Sequence, residues 1–244
     1  MHTEWMVALA GGLLLAGHCL AAEPTAAPNT MPEFVSKVSL HNCAGAAPTA
    51  DGKGVWLYRL PADVRNEINE TAREKYTQPV HSEIRFVLNE GEKIEHVEIT
   101  LALEDKGIAR ADFFRGDWQY FLYSRPVRRT TTLTYPTHGA FAARVDRLPG
   151  RRFDNRVCRV VLSGPPVKLL GVAGDVRPPK PTELPPVMIS YGTSITQGAR
   201  ASRGDLAYNA LTARELGYDL VNLGTSGSAF CEAEIAEHIA ARPW

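Results

Sequence analysis

Seven prolines fall within the 23 residues from Gly164 to Pro186, three of the pairs adjacent: Pro165-Pro166, Pro178-Pro179 and Pro185-Pro186. A helix cannot cross such a run, because each proline lacks an N–H and clashes with the preceding turn. Central strands are disfavoured there for the same missing donor. The run therefore splits the chain into two parts that must fold by different rules. Val167 to Val172 can still form a last edge strand, and the remainder reads as a semi-rigid connector. The boundary is placed near Lys180.

Before the proline run the pattern has period two. Ile84, Phe86 and Leu88 alternate with Glu83, Arg85 and Val87, and Val97, Ile99, Leu101 and Leu103 alternate with His96, Glu98, Thr100 and Ala102. The sequence Asn89-Glu90-Gly91-Glu92 between them has hairpin chemistry. Gly54 to Leu60, Trp118 to Tyr123, Val127 to Leu133 and Val157 to Leu162 read as further strands. Strands at this spacing predict an antiparallel, jelly-roll-like β-sandwich over 34–180, with one face of each strand in a core and the other in water.

After the run the pattern changes. Val187 to Tyr191 is a nearly continuous apolar run, as in a buried parallel strand. Asp205 to Leu216 reads as a helix with Asp205 as its cap and Gly217 at its end. Tyr218 to Leu223 reads as a second strand, and Glu232 to Ala241 as a second helix. Strand-helix-strand-helix begins a doubly wound α/β sheet over 185–244. Such a domain needs at least five strands, so this part reads as incomplete.

The first 22 residues read as an export signal. Met6 to Ala16 is apolar, and Ala21-Ala22 supplies small residues for cleavage. The expected location is secreted or periplasmic. An even balance of 27 basic and 27 acidic residues gives no basic excess for nucleic acid. Cys43 and Cys158 could pair in an exported protein, or remain buried thiols. No His/Cys spacing resembles a zinc site, so neither metal nor other cofactor is expected.

One residue stands out chemically. Ser194 lies three residues past Tyr191, at the carboxyl end of the predicted strand, where open α/β sheets build their sites. Gly192 allows a sharp turn, and the helix start beyond it offers free N–H groups. A serine there can be a nucleophile, or merely cap a turn. Gly192-Thr193-Ser194-Ile195-Thr196 is not the G-x-S-x-G nucleophile elbow, and Gly192 to Gly198 lacks the lysine of a Walker A loop.

Tyr191-Gly192-Thr193-Ser194-Ile195-Thr196-Gln197-Gly198 resembles the first motif of the SGNH (GDSL-type) hydrolases, with Thr193 in place of the usual Asp. Asn222-Leu223-Gly224-Thr225-Ser226-Gly227 resembles the second. Gly54-Val55-Trp56-Leu57-Tyr58-Arg59-Leu60 is similar to the Gly-x-Asp-Leu-Tyr signature of a β-domain that precedes one branch of the family, with Trp56 replacing Asp. The resemblance implies a three-layer, flavodoxin-like hydrolase domain. It implies that Ser194 forms an acyl-enzyme and that the N–H groups of Ser194 and Gly227 form the oxyanion hole. The family's third-block Asn and its Asp-x-x-His pair find no match up to Trp244. His238 reads as a solvated surface residue, and His41, His81, His96 and His138 as structural or exposed. Trp56, Trp118 and Tyr120 read as packing rather than a sugar platform, and Arg125, Arg128 and Arg129 as a solvated strand face. The implied activity is hydrolysis of a carboxylic ester, an acetyl ester in the simplest case, of a small molecule or an acylated carbohydrate. The competing reading is a binding module for glycan or protein that carries a relic hydrolase segment.

Overall fold

The computed structural model describes residues 30–89, 96–104 and 106–242. The expected export signal lies outside these residues, as does most of the turn after Asn89. The strands are β1 (Ser39–His41), β2 (Ala47–Pro48), β3 (Val55–Trp56), β4 (Ser82–Leu88), β5 (His96–Leu103), β6 (Ala109–Arg115), β7 (Trp118–Val127), β8 (Thr130–Pro136), β9 (Cys158–Ser163), β10 (Val167–Ala173), β11 (Val176–Arg177), β12 (Val187–Gly192) and β13 (Asp219–Gly224). The helices are α1 (Ala62–Glu67), α2 (Glu70–Lys75), α3 (Ala140–Val145), α4 (Ser194–Gln197), α5 (Tyr208–Leu216) and α6 (Ala233–Ala240). No described helix is long and apolar enough to cross a membrane.

Two antiparallel sheets carry the first part. One has the order β1-β4-β9-β6-β7, with β11 also on β4; the other has the order β2-β3-β10-β5-β8. Their facing side chains form a single apolar cluster. Ile84, Phe86, Phe113 and Leu162 come from the first sheet, and Ile99, Leu101, Leu133 and Leu169 from the second. Burying each such side chain is worth roughly 1.5–3 kcal/mol relative to exposing it. Tyr135 of β8 donates its hydroxyl to the Phe114 carbonyl of β6 at 2.5 Å, so the polar end of this buried ring is satisfied across the two sheets.

Three sequence expectations are corrected here. First, β4 and β5 do not form a hairpin. They pair with β1, β9 and β11, and with β8 and β10, respectively, in different sheets. Both strands alternate, but each turns its apolar side to the same core from an opposite sheet. Second, β10 is not an edge strand; it lies between β3 and β5. Third, the outer face of β4 does not meet water. Glu83 and Arg85 are both buried, because the second part of the chain packs over them.

That second part is a two-stranded parallel sheet, with Val187 to Gly192 in register with Asp219 to Gly224. α5 ends at Gly217, whose φ of 81° is the left-handed conformation that stops helices. Asp205 does not cap α5. It lies in a preceding 3-10 turn and binds Arg203 instead. The proline run separates the two parts in sequence but not in packing. Leu60, Ile68, Ala72 and Tyr76 share an apolar cluster with Val221, Leu223 and Ile235.

The free edge of β13 is covered by side chains instead of a strand. Alternate carbonyls of a strand point to the same edge, and here three of them are bonded. His41 Nε2 donates to Leu220 O at 2.7 Å, and Asn42 Nδ2 donates to Asn222 O at 3.2 Å. Arg59 donates to Asn222 O at 3.1 Å and to Gly224 O at 2.8 Å. Below them, Arg85 holds Asp219 through two bonds of 2.6 and 2.7 Å, while Glu83 accepts from both Arg85 and Arg159. The β-sheet part thus fixes the whole length of the strand that leads to the candidate site.

Candidate active site

β12 delivers the chain to Thr193, and Ser194 is the first residue of the single helical turn α4. Gly192 and Gly224 let this turn sit directly on the end of β13. A Cβ at Gly192 would come 2.4 Å from Thr196 Oγ1, and one at Gly224 would come 2.2 Å from the Gln197 nitrogen. Neither approach is open to any other residue without moving α4. Gly198 ends the turn at φ 106°. Ser194 is half-buried, while Thr193 and Ile195 beside it are exposed.

The turn holding Gly227 follows β13 and is tied to the serine turn by two bonds. Thr225 N–H donates to the Gly192 carbonyl at 2.8 Å, and Ser226 N–H donates to Gln197 Oε1 at 2.6 Å. Gly227 adopts φ 70°, the left-handed region that glycine enters without strain. Among the described residues, no hydrogen bond engages the backbone N–H of Ser194 or of Gly227. Two linked turns therefore each carry a free donor, as a site for a developing oxyanion requires.

Buried amides hold α4 in place. The Thr196 carbonyl accepts from Asn209 Nδ2 and from Asn222 Nδ2, both at 2.9 Å. Asn222 also donates to His81 Nδ1 at 3.0 Å and accepts Gly224 N–H at 2.8 Å, so its full amide is used. Gln197 Nε2 donates to Gln78 Oε1 at 3.0 Å, which links the site to the β-sheet part.

Behind the turns lies Arg59, fully buried. Its guanidinium donates to four backbone carbonyls: Lys75, Gln78, Asn222 and Gly224. It also lies 4.8 Å from the centre of the Tyr76 ring, and the Tyr76 hydroxyl donates to Leu223 O at 2.9 Å. Burial lowers the Arg59 pKa to about 10, which still leaves it charged at neutral pH. Neither Arg59 nor Gln197 was picked out from the sequence. A signal existed for Arg59 and for Asn222: each is a polar residue inside a short apolar strand run, which implies a specific buried partner.

Among the described residues, no histidine is hydrogen-bonded to Ser194. His41 is mostly covered, packed against Leu220 and Asp219, and this burial lowers its pKa. His81 is held on Asn222, and burial lowers its pKa to about 4. His96 and His138 are exposed. His238 is half-buried beside Arg242 rather than fully solvated, and burial followed by the Arg242 charge lowers its pKa. Cys43 and Cys158 are separate buried thiols, with no bond between them. Burial raises them to about 12 and about 11. Tyr120 packs in the core against Tyr135, and Trp56 stacks on Tyr58, so the three predicted aromatics form no common platform. Arg125, Arg128 and Arg129 are exposed.

Residues 186–242 match the GDSL-like Lipase/Acylhydrolase family. No curated protein matches the chain in sequence. Among solved structures, the chain is similar to the salicylyl-acyltransferase SsfX3 from a tetracycline biosynthetic pathway. The TM-score is 0.64 at 14% identity, covering 88% of this chain and 60% of that one. It is also similar to a Bacteroides ovatus protein assigned as a GDSL-like lipase. There the TM-score is 0.53 at 20% identity, covering 84% of this chain and 59% of that one. The chain thus spans about 60% of the length of either structure, and the likeness extends over both of its parts. What the comparisons give is a match of residues 186–242 to the GDSL-like Lipase/Acylhydrolase family model and a likeness of fold to the two structures.

Proposed function

We propose that the protein is an exported carboxylic ester hydrolase and that this chain supplies the nucleophile and two oxyanion donors of its site. The observation that carries the reading is the pair of tied turns, with Ser194 on one, Gly227 on the other, and a free N–H on each. In the reaction, Ser194 Oγ bonds to the ester carbonyl carbon while its proton passes to a base. The carbonyl oxygen becomes an oxyanion held by the two N–H groups. Collapse breaks the bond to the alcohol, which leaves with a proton, and water then releases the acyl group from the serine. The proposed ester is a small acyl group, acetyl in the simplest case, on a carbohydrate. The two-sheet unit over 34–180 is read as a jelly-roll-like β-sandwich that packs behind a hydrolase segment over 185–244, after a cleaved signal over 1–22.

One observation favours a second reading. Among the described residues, no side-chain base is hydrogen-bonded to Ser194, which suits a module that binds acylated glycan without cleaving it. Hydrolysis of p-nitrophenyl acetate separates the two. Serine hydrolases stripped of triad members keep roughly 10³–10⁴-fold catalysis over water from the oxyanion hole and binding. Turnover above the uncatalysed rate, with an acetyl adduct on Ser194 in mass mapping that Ser194→Ala lacks, supports the hydrolase. Binding of the acylated glycan with no turnover and no adduct supports the binding module.

A further inference from the structure

A cavity of about 550 Å³ opens where the β-sheet part meets the loop that follows α4. Lys75, Arg110 and Arg203 line it, together with the amides of Gln78 and Gln197 and with Ser226. No Asp or Glu is among its lining residues. We propose that this cavity binds a carboxylate-bearing sugar, so that the ester presented to Ser194 belongs to an acidic glycan.

The walls of the cavity are built rather than incidental. Arg59 holds the carbonyls of Lys75 and Gln78 on one side and those of Asn222 and Gly224 on the other. Gln78, Gln197 and Ser226 form a continuous chain of hydrogen bonds along the floor. This chain ends one residue from Gly227 and three residues from Ser194, so a ligand on it adjoins the candidate site.

The charges set the ligand class. Arg203 is committed to Asp205 through bonds of 3.0 and 3.1 Å. Lys75 has exposed Glu74 at 3.3 Å, in an arrangement that solvent screens. Arg110 uses Nε on Ser124 and lies 3.9 Å from Asp112, which leaves its two terminal nitrogens for a ligand. Lys75 and Arg110 therefore provide donors for an anion, and Arg110 presents the planar fork that suits a carboxylate. The amide and hydroxyl groups beside them suit sugar hydroxyls. The lining contains no aromatic ring for stacking, so recognition depends on charge and hydrogen bonds rather than on a neutral sugar face.

The assignment of the bound sugar as substrate rests on the hydrolase reading, but binding can be measured without catalysis. Titration calorimetry of the full chain would use trigalacturonate, neutral xylotriose and inorganic phosphate as probes. Trigalacturonate is expected to bind, more weakly as salt rises, while xylotriose does not. Lys75→Ala and Arg110→Ala, both at solvent-accessible positions, should each weaken it about tenfold with an unchanged melting temperature. Arg110→Lys should recover part of the loss. The proposal is overturned by equal binding of xylotriose, by no binding of trigalacturonate at millimolar concentration, or by indifference to both substitutions. Phosphate binding as tight as that of trigalacturonate would overturn the sugar assignment. Loss of ester cleavage in Ser194→Ala leaves every one of these outcomes readable.

Discussion

The side-chain carbonyl of Gln197 accepts the backbone N–H of Ser226 at 2.6 Å, while its amide nitrogen donates to Gln78 at 3.0 Å. One side chain thus joins the serine turn, the glycine turn and the β-sheet part. Gln197→Ala removes both bonds at a half-buried position, where water can replace part of what is lost. We expect about 1 kcal/mol of destabilisation and faster amide hydrogen exchange at Ser226 and Gly227. Unchanged exchange at these two amides would show that other contacts position the turn.

Arg85 and Asp219 connect the two parts through a buried, two-bonded ion pair. Removing one partner leaves the other charge buried and unpaired, at a typical cost of about 3–5 kcal/mol. Arg85→Met should therefore destabilise the chain strongly in denaturant unfolding. Replacing Asp219 by Asn as well should recover part of that loss. Burial raises the Asp219 carboxyl, but Arg85 and His41 outweigh it and hold it below the ordinary range. Additive effects in the double-mutant cycle would argue against a coupled pair.

Acid should loosen the same region in two stages. His81 has a folded pKa of about 4 against an ordinary value of 6.5. The unfolded chain therefore takes up this proton first, and stability falls as pH drops from 6.5 toward 4. The maximum contribution is about 3 kcal/mol. Glu83 and Asp219 have lowered folded pKa values, so their contribution is present at neutral pH and lost further down, as pH falls below about 4. Melting temperature against pH should show the upper stage, and His81→Asn should flatten it. An unaltered slope in that variant would remove His81 from the account.

Part of the architecture was legible because the apolar residues of several strands alternate, and in β5 and β8 burial alternates with them. β4 and β5 were located by alternation, and β12 and β13 by their continuous apolar runs. β6 was missed because Arg110, Asp112 and Arg115 interrupt its apolar positions. α1, α2 and α3 were missed because six residues are too few to display a helical period. The outer face of β4 was misread because Glu83 and Arg85 look solvated until Asp219, more than 130 residues later, is placed over Arg85. At the candidate site, Ser194 and Gly227 were singled out by local motifs, and the structure brings their two turns together. Gln197 and Arg59 were not, since their partners are set by long-range packing that no local spacing encodes.

The second part also depends on its cover. Val187, Ile195, Tyr208, Leu216 and Phe230 are exposed large apolar residues, and Leu223 and Val221 rely on Leu60 and Tyr76 for burial. A segment spanning 187–244 alone should therefore aggregate on expression. A monomeric product with a cooperative melt would contradict the shared core.

The central claim is that Ser194 faces a prepared oxyanion site. Reaction of the folded chain with a fluorophosphonate, followed by peptide mass mapping, tests it most directly. The account predicts an adduct on Ser194 that is absent in Ser194→Ala and slowed when Gln197→Ala loosens the Gly227 turn. A folded chain that stays unlabelled at Ser194, or is labelled equally at other serines, would contradict it.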